Sequence, residues 1–216
     1  MFYTVKVPWL FKKLYPSLTW EKQTDKKILY LTFDDGPHPT ATPFVLDELK
    51  KYNAKATFFC IGKNVVQYTD IYKRILGEGH KAGNHTFNHL NGWKVSNEKY
   101  LDNIFEAAKY IDSNLFRPPY GRITRFQIKL LQRENENLQI PSSNNAFKII
   151  MWSVLSGDFD PQLSPRKCLE HVMLHSKPGS IIVFHDSTKA WEKMSFTLPK
   201  MLEHFSQEGY SFAALD

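Results

Sequence analysis

The strongest constraint on the fold is a series of short apolar runs, rich in β-branched and aromatic residues, separated by stretches with helical spacing. These runs lie at positions 28–33, 56–61, 147–153, 180–184 and 210–215. Most are continuously apolar rather than alternating, which is typical of strands covered on both faces. Strands that alternate with helices predict an α/β fold with a largely parallel strand core.

The stretches between these runs predict helices at positions 42–52, 71–79, 96–112, 165–175 and 191–209. Ser96 suits the N-cap of the third helix, and Pro165 suits the first turn of the fourth. Pro199 lies inside the last stretch, so we expect that helix to break or to begin near it. The segment 133–147 is polar and irregular, and it is predicted to be a surface loop.

Length and composition indicate an ordinary globular domain. The chain has 216 residues, 42% of them hydrophobic, which is enough for a sizeable core and argues against disorder or a disulfide scaffold. The formal charge of +6 is spread without a long basic run, so a solvated basic surface is favoured over nucleic-acid binding. Cys60 and Cys168 form no paired metal spacing and are expected to be free thiols.

The first 27 residues precede the first strand, so the chain divides into an N-terminal segment, 1–27, and a domain, 28–216. Residues 1–20 are rich in aromatic and basic side chains, which also fits an element lying on a membrane surface. However, Pro8 and Pro16 leave room for only about two helical turns between them. We therefore favour a segment that packs against the domain as a lid or plug.

No membrane span or export signal is visible in the sequence. No apolar stretch approaches the roughly 20 residues that cross a bilayer. The N-terminus lacks the continuous apolar core and the small-residue cleavage site of a signal peptide. These features alone predict a cytoplasmic protein.

Charged side chains follow several of the apolar runs. They are Asp34 and Asp35, Arg117, Asp158, and His185 with Asp186. Active sites of parallel barrels are built at the carboxyl ends of their strands, so this recurrence predicts a site there. Each group taken alone also has a purely structural interpretation, such as a simple turn at Asp34-Asp35-Gly36.

His85 and His89 form a second candidate group. On a helical turn, a spacing of four places both rings on one face, as in zinc-binding H-E-x-x-H motifs, although no Glu lies between them. Taken alone, two surface histidines are the simpler interpretation. Combined with the Asp34–Asp35 pair, one aspartate can complete a three-ligand catalytic metal site, and the other can accept a proton from the metal's water.

The motifs also resemble a known family. "TFDDGP", "HTFNH", "RPPYG", "WSVLSGDF" and "VFHD" occur in the order of the five motifs of the polysaccharide deacetylases, the carbohydrate esterases of family four with a NodB homology domain. The match runs from about Ile28 to the C-terminus. The resemblance implies a deformed (β/α) barrel. It also implies metal-dependent removal of N-acetyl groups from polysaccharides or oligosaccharides that contain N-acetylglucosamine, of the peptidoglycan or chitin type.

The resemblance further implies a role for individual residues. Asp35, His85 and His89 would hold the metal, with Zn²⁺ as the expected ion and Co²⁺ or Ni²⁺ as alternatives. Asp34 would be the general base that deprotonates the metal-activated water, and Arg117 would orient it.

The remaining roles concern the leaving group and the substrate. His185 would be the general acid, and Asp158 would keep it charged. The backbone N–H of Tyr120 would help to bind the oxyanion. Pro119, Trp152 and Phe159 would lie at the substrate.

Three positions depart from the family pattern. Phe159 stands where the family usually has Trp in the acetyl pocket, Leu155 where an acid is common, and Val183 where Leu is usual. These changes affect substrate preference, whereas every catalytic group is present.

Several alternatives stay open at this point. An O-acetyl esterase or a small cyclic-amide hydrolase could use the same groups, and a non-catalytic glycan-binding protein could retain the groove. The expected partner is an N-acetylated glycan, and no nucleic acid is expected. The oligomeric state is not predicted. A wall-directed substrate implies the cell envelope, in contrast to the cytoplasmic location suggested by the N-terminus.

Overall fold

The computed structural model describes residues 4–132 and 146–216. Within these residues, short strands form one sheet. In chain order they are β1 (Ile28–Asp34), β2 (Ala56–Cys60), β3 (Lys81–Asn84), β4 (Leu115–Phe116), β5 (Lys148–Ile149), β6 (Val154–Leu155), β7 (Ile181–His185) and β8 (Ser211–Phe212).

The strand order is β5-β4-β3-β2-β1-β7-β6, and β8 pairs with the start of β1. All pairings between these strands are parallel. The register places Asp34, the last residue of β1, between Phe59 of β2 and His185 of β7. The prediction of an α/β fold with a largely parallel core is confirmed, and the strands present their carboxyl ends at one edge.

Helices connect the strands and cover the sheet. They are α1 (Trp9–Leu14), α2 (Ala41–Lys51), α3 (Gly62–Gln67), α4 (Thr69–Gly77), α5 (Asn97–Ala108), α6 (Arg125–Leu131), α7 (Pro165–His175) and α8 (Trp191–Gln207), with a 3₁₀ turn at Pro119–Gly121. All five predicted helices are present. The N-cap prediction is also confirmed, because Ser96 Oγ accepts a hydrogen bond of 3.3 Å from the amide of Lys99.

The prediction of a break at Pro199 is wrong, because α8 runs through this residue. A proline inside a helix removes one hydrogen bond and costs about 3 kcal/mol. The opposing term is packing: Leu198, Met201 and Leu202 of α8 are fully buried in the main core. Burial of each such side chain contributes roughly 1.5–3 kcal/mol, so tertiary packing outweighs the local cost.

The structure differs from the predicted strands in two places. The run 147–153 is not one strand but contains β5, and the chain then turns before β6. Strand β3 was missed because it shows hardly any apolar signal. Its Gly83 is required by packing, since a Cβ there would lie 2.5 Å from the Phe59 ring.

The main core lies between the sheet and helices α2, α4, α7 and α8. Three phenylalanines from adjacent strands stack at its centre: the Phe33 ring lies 5.1 Å from Phe58 and 5.9 Å from Phe184. Cys60 and Cys168 are both buried and free, as predicted. The rigid core fixes the strand ends on which the polar groups lie.

Residues of the N-terminal segment hydrogen-bond to both ends of the sheet. Thr19 forms a parallel bridge with Ile150, just after β5, and Lys6 forms an antiparallel bridge with Val154 of β6. Leu18 and Trp20 of this segment are buried in a second hydrophobic cluster.

The predicted loop at 133–147 falls largely outside the described residues, since positions 133–145 are not described. Phe147 is described, and it is 2% exposed in the second hydrophobic cluster, so the surface-loop prediction is wrong for this residue. Among the described residues, no helix is both long and apolar enough to span a membrane.

Candidate functional site

The polar residues at the strand ends surround one cavity of about 330 Å³. Its walls are formed by Asp34, Asp35, His85, His89, Pro118, Tyr120, Gly121, Arg122, Trp152, Leu155, Phe159, Val183, His185, Ser187 and Lys189. Most of the residues singled out in the sequence therefore meet in one place. Arg117 and Asp158 support this cavity from behind, since both are fully buried.

Asp34 and Arg117 form a buried ion pair. Nη1 of Arg117 donates to Oδ1 of Asp34 over 2.8 Å and to the hydroxyl of Thr32 over 2.7 Å. The rest of the guanidinium donates to the carbonyls of Ile150 (3.2 Å) and Met151 (2.8 Å). Each of the three guanidinium nitrogens thus donates at least one hydrogen bond, and Asp34 is held in one orientation beside a positive charge.

Burial lowers the pKa of Arg117, and the charge of Asp34 opposes that shift. A guanidinium remains protonated throughout the range in which proteins are folded. Its centre also lies 4.2 Å from the centroid of the Phe59 ring, a cation–π contact. Arg117 is therefore a permanent positive charge beside the Asp34 carboxyl group.

Asp35, His85 and His89 form the second group in the cavity. Oδ1 of Asp35 lies 3.2 Å from Nε2 of His89 and 3.7 Å from Nε2 of His85. One ligand atom from each of the three residues lies within 4.8 Å of the others. Oδ1 of Asp35 is buried and makes no well-aligned hydrogen bond to any described group. One carboxylate and two imidazoles suit a divalent transition metal, so these three residues can hold a metal ion.

The outer nitrogens of both rings are held by hydrogen bonds. Nδ1 of His85 lies 2.7 Å from the carbonyl oxygen of Arg117, which can only accept, so Nδ1 carries the proton and Nε2 presents a lone pair. Nδ1 of His89 lies 3.1 Å from the hydroxyl of Tyr120. Such outer partners fix the ring orientation that a metal ligand needs.

The ionisation states also suit a metal. Burial lowers the pKa of His85 to about 4, so this ring is neutral near pH 7. Burial alone would raise the pKa of Asp35, but the nearby His89 and the charges of His185 and His85 hold it well below its usual value. A neutral imidazole and an ionised carboxylate are the forms that bind metal.

A loop, and not a helical turn, brings the two histidines together. Residues 85–89 form a loop after β3, in which Thr86 and His89 have positive φ values of 63° and 56°. The loop is held because the Thr86 amide donates to Oδ1 of Asn84 over 2.8 Å. A β-branched residue is rarely found in this region, so the surrounding structure imposes the conformation.

His185 and Asp158 form the third group. Oδ1 of Asp158 lies 2.8 Å from Nδ1 of His185, and Oδ2 accepts from the His185 amide over 2.7 Å. Burial would lower the pKa of His185, but the charge and hydrogen bond of Asp158 raise it to about 9. The imidazole is therefore protonated near neutral pH, and its Nε2 side remains to donate.

Tyr120 has an unusual backbone in the 3₁₀ turn, with φ of 60°. The amides of Gly121 and Arg122 donate to the carbonyls of Pro118 and Pro119, over 2.9 and 3.0 Å. The Tyr120 amide has no acceptor among the described residues, which leaves it available for a ligand. Pro119 is buried under the turn and does not line the cavity.

The apolar part of the cavity is formed by Trp152, Leu155, Phe159 and Val183. The ring of Phe159 packs edge-on against His185, with centroids 5.2 Å apart. The three positions that depart from the family pattern therefore all lie on this one wall.

Asp186, to which the sequence pattern gave no role, supports the loop after β1. Its carboxyl accepts from the Gly36 amide over 3.0 Å and contacts the Thr42 hydroxyl. Burial raises the pKa of Asp186 to about 8. A Cβ on Gly36 would lie 2.1 Å from this carboxyl, so the glycine is needed for the approach. The sequence signal that could have revealed this residue is the "VFHD" motif, which contains it.

Comparisons with known proteins agree with this geometry. The family profile described as "Polysaccharide deacetylase" matches residues 21–135. A peptidoglycan-N-acetylglucosamine deacetylase of Bacillus cereus is 34% identical over 214 residues, covering 95% of this chain and 95% of that protein. A peptidoglycan-N-acetylglucosamine deacetylase of Listeria monocytogenes is 32% identical over 90% of this chain and 39% of its own length.

A solved structure shows the same similarity in three dimensions. The crystal structure of a peptidoglycan N-acetylglucosamine deacetylase superimposes with a TM-score of 0.82 and 31% sequence identity, covering 97% of this chain and 95% of that one. Similarity over nearly the whole length, together with the site geometry, shows that this chain belongs to the polysaccharide deacetylase family.

Proposed function

We propose that this protein is a metal-dependent N-deacetylase that hydrolyses the acetamido group of N-acetylglucosamine residues in a peptidoglycan-type glycan. The observation that carries the proposal is the meeting of three groups in one cavity: Asp34 with Arg117, Asp35 with two histidines, and His185 with Asp158. These are a base, a metal-ligand set and an acid, which together meet the needs of amide hydrolysis.

Asp35, His85 and His89 are the proposed metal ligands, with Zn²⁺ as the proposed ion. When bound, a divalent cation polarises the amide carbonyl and lowers the pKa of water as a Lewis acid. The outer hydrogen bonds of the two imidazoles keep their Nε2 atoms directed at Asp35.

Asp34 is the proposed general base. The adjacent Arg117 orients its carboxylate, which can accept a proton from the attacking water. The Arg117 side chain is fully buried and donates to four separate acceptors, which leaves the base little freedom to rotate.

The Tyr120 amide and His185 are the proposed groups for the later steps. An N–H without another acceptor can donate to the oxyanion of the tetrahedral intermediate. The amine is a poor leaving group and must be protonated as the C–N bond breaks. His185 donates that proton, and Asp158 stabilises its charged form before the transfer.

The proposed substrate class comes from the relatives, whose names specify peptidoglycan N-acetylglucosamine. The apolar wall of Trp152, Leu155 and Phe159 offers a surface for the acetyl methyl group. A chitin-type oligomer carries the same acetamido group, so it is the appropriate minimal substrate for a test.

The test is acetate release from N-acetylglucosamine oligomers and from soluble peptidoglycan fragments. The protein is treated with a chelator, and activity is measured before and after zinc is added. Asp34→Asn keeps the size of the side chain but removes the base. We expect zinc-restored release in the parent protein and a loss of about 10²–10⁴-fold in the variant.

Zinc binding is measured separately by calorimetry, and His89→Gln serves as the ligand variant. A protein that binds zinc but releases no acetate from either glycan would contradict the deacetylase proposal and leave the metal site intact. Absence of zinc binding in the parent protein would contradict the assignment of the three ligands.

A further inference from the structure

Two cations at the mouth of the cavity have no role in the proposed hydrolysis. Arg122 and Lys189 both line the cavity and are exposed. Neither forms an ion pair with a carboxylate of the described residues. Each is therefore an uncompensated positive charge beside the place where substrate binds.

Aromatic rings hold both cations in position. The guanidinium of Arg122 lies 4.2 Å from the centroid of the Trp93 ring, and the Trp93 indole is fixed by a 3.0 Å hydrogen bond to the carbonyl of Ile123. Nζ of Lys189 lies 5.9 Å from the centroid of Phe159. Side chains that are already positioned lose less conformational entropy when they bind a ligand.

The charge balance of the cavity favours an anionic ligand. Its lining carboxylates are Asp34 and Asp35. Asp34 is paired with Arg117, and Asp35 faces two imidazoles. The groups that remain for a ligand at the mouth are therefore positive, and a bound metal ion would add to this charge.

The topology places one cation on each side of the carboxylates. Arg122 follows the 3₁₀ turn after β4, and Lys189 follows β7. Strand β1, which ends at Asp34, lies between β4 and β7 in the strand order. A glycan that crosses the cavity from the β4 side to the β7 side, with its reacting sugar over Asp34, would therefore meet a cation on each side of that sugar.

We infer that Arg122 and Lys189 form an anionic subsite that binds carboxylates on the units flanking the N-acetylated sugar, so that the enzyme prefers an acidic glycan to a neutral homopolymer. This inference rests on the proposed function for the identity of the central sugar. In peptidoglycan the carboxylates have two sources: the carboxyalkyl ether of the neighbouring sugar, and the attached peptide.

The test compares three substrates: a neutral N-acetylglucosamine oligomer, peptidoglycan glycan fragments stripped of peptide, and fragments that keep their peptides. The variants are Arg122→Gln, Lys189→Gln and the double change. We expect the ratio of kcat/KM for acidic over neutral substrate to fall about threefold in each single variant and about tenfold in the double variant, mainly through KM. Added salt should lower the same ratio in the parent protein.

Matched controls come from cations that also lie over aromatic rings but outside the cavity. Arg125 lies 5.3 Å from the Tyr15 ring, and Lys200 lies 4.1 Å from the Phe196 ring. Arg125→Gln and Lys200→Gln should leave the ratio unchanged. A preference that survives removal of the peptides would assign the bound carboxylate to the sugar, and one that disappears would assign it to the peptide.

An unchanged ratio in the double variant would overturn the inference. If the parent protein released acetate from none of the glycans, the proposed function would fail on its own. The inference would then be tested by calorimetry, which measures the affinities of the parent and the same variants for the stripped fragments and for the neutral oligomer. Equal affinities in the parent and the double variant would refute it, and a lower affinity of the double variant for the acidic fragments would support it.

Discussion

At the scale of single residues, the site depends on buried charged groups that are held by hydrogen bonds. Arg117 is 0% exposed, and each nitrogen of its guanidinium donates at least one hydrogen bond. Asp158 is buried behind His185 in the same way. Removal of one member of such a pair leaves the other charge buried without a partner, which costs more than the pair contributes.

Replacement of Arg117 by Met should therefore lower the free energy of unfolding by about 3–5 kcal/mol, because Asp34 would be left as an unpaired buried charge. Urea denaturation of the parent and variant gives this difference. Arg74→Met is the matched control, since Arg74 pairs with Asp47 and Glu78 at the surface. Arg74→Met should lower the free energy of unfolding by less than about 1 kcal/mol. Equal costs for the two changes would contradict the argument from burial.

Asp158→Asn should change the dependence of kcat/KM on pH, so that the loss of activity on the basic side begins at a lower pH. His185 must be protonated to act as the acid, so activity is lost as the pH rises through its pKa. Asp158 raises that pKa to about 9, and removal of the carboxylate charge lowers it. We expect a shift of at least about one pH unit.

The matched control for this profile is Asp47→Asn, which changes an exposed ion pair outside the cavity. Its pH profile should follow that of the parent protein. A profile for Asp158→Asn with the same basic limb as the parent would argue against His185 as the group that titrates.

At the scale of elements, loops rather than helices bring the catalytic groups together. The loop after β3 carries both histidines through two residues with positive φ, and the turn after β4 carries Tyr120 in the same region. Short parallel strands end at nearly the same level, so these loops need only a few residues to reach one another. The α-helices cover the sheet and contribute no lining residue to the cavity.

Helix α8 allows a test of how packing overrides local preference. Replacement of Pro199 by Ala restores a backbone donor inside the helix, which favours the fold by up to about 3 kcal/mol. The loss of proline also gives the unfolded chain more freedom, which costs about 1 kcal/mol. We expect a net gain of about 1–2 kcal/mol in the free energy of unfolding, measured as a higher urea midpoint with an unchanged m value. A lower midpoint would show that the proline ring itself is needed in the packing.

At the scale of the whole molecule, the N-terminal residues join the two ends of the sheet. The bridges of Thr19 and Lys6 connect to residues beside β5 and within β6, which are the two ends of the strand order. Trp20 is 9% exposed, and its indole donates to the carbonyl of Tyr15 over 3.1 Å. In contrast, Trp9 of α1 is 69% exposed.

This contrast predicts different costs for two substitutions in one segment. Trp20→Ala should lower the free energy of unfolding by about 3 kcal/mol or more, because it removes a large buried ring. Trp9→Ala should change it by no more than about 0.5 kcal/mol. Urea denaturation measures both. Similar small effects would indicate that the segment contributes little to the stability of the domain.

Local sequence patterns were enough to predict the parallel α/β class, the two free cysteines and the set of polar residues that follow the strands. These features depend on local patterns: a buried strand is apolar along its length, and its end is where polar groups can begin. The five motifs added the family and, with it, an expected role for each group. None of these inferences required the distances between residues that lie far apart in the chain.

How those groups meet depends on the folded arrangement of the whole chain. It placed Asp35 beside the histidines and paired Asp34 with Arg117, which is 83 positions away in the chain. The local pattern left this division of roles between the two aspartates open, and only the family resemblance implied it. The folded arrangement also formed β3 from a segment with little apolar signal, and it kept α8 continuous through Pro199. The physical reason is the same in each case: contacts between distant residues contribute several kcal/mol, which exceeds the local preferences that a sequence pattern reports.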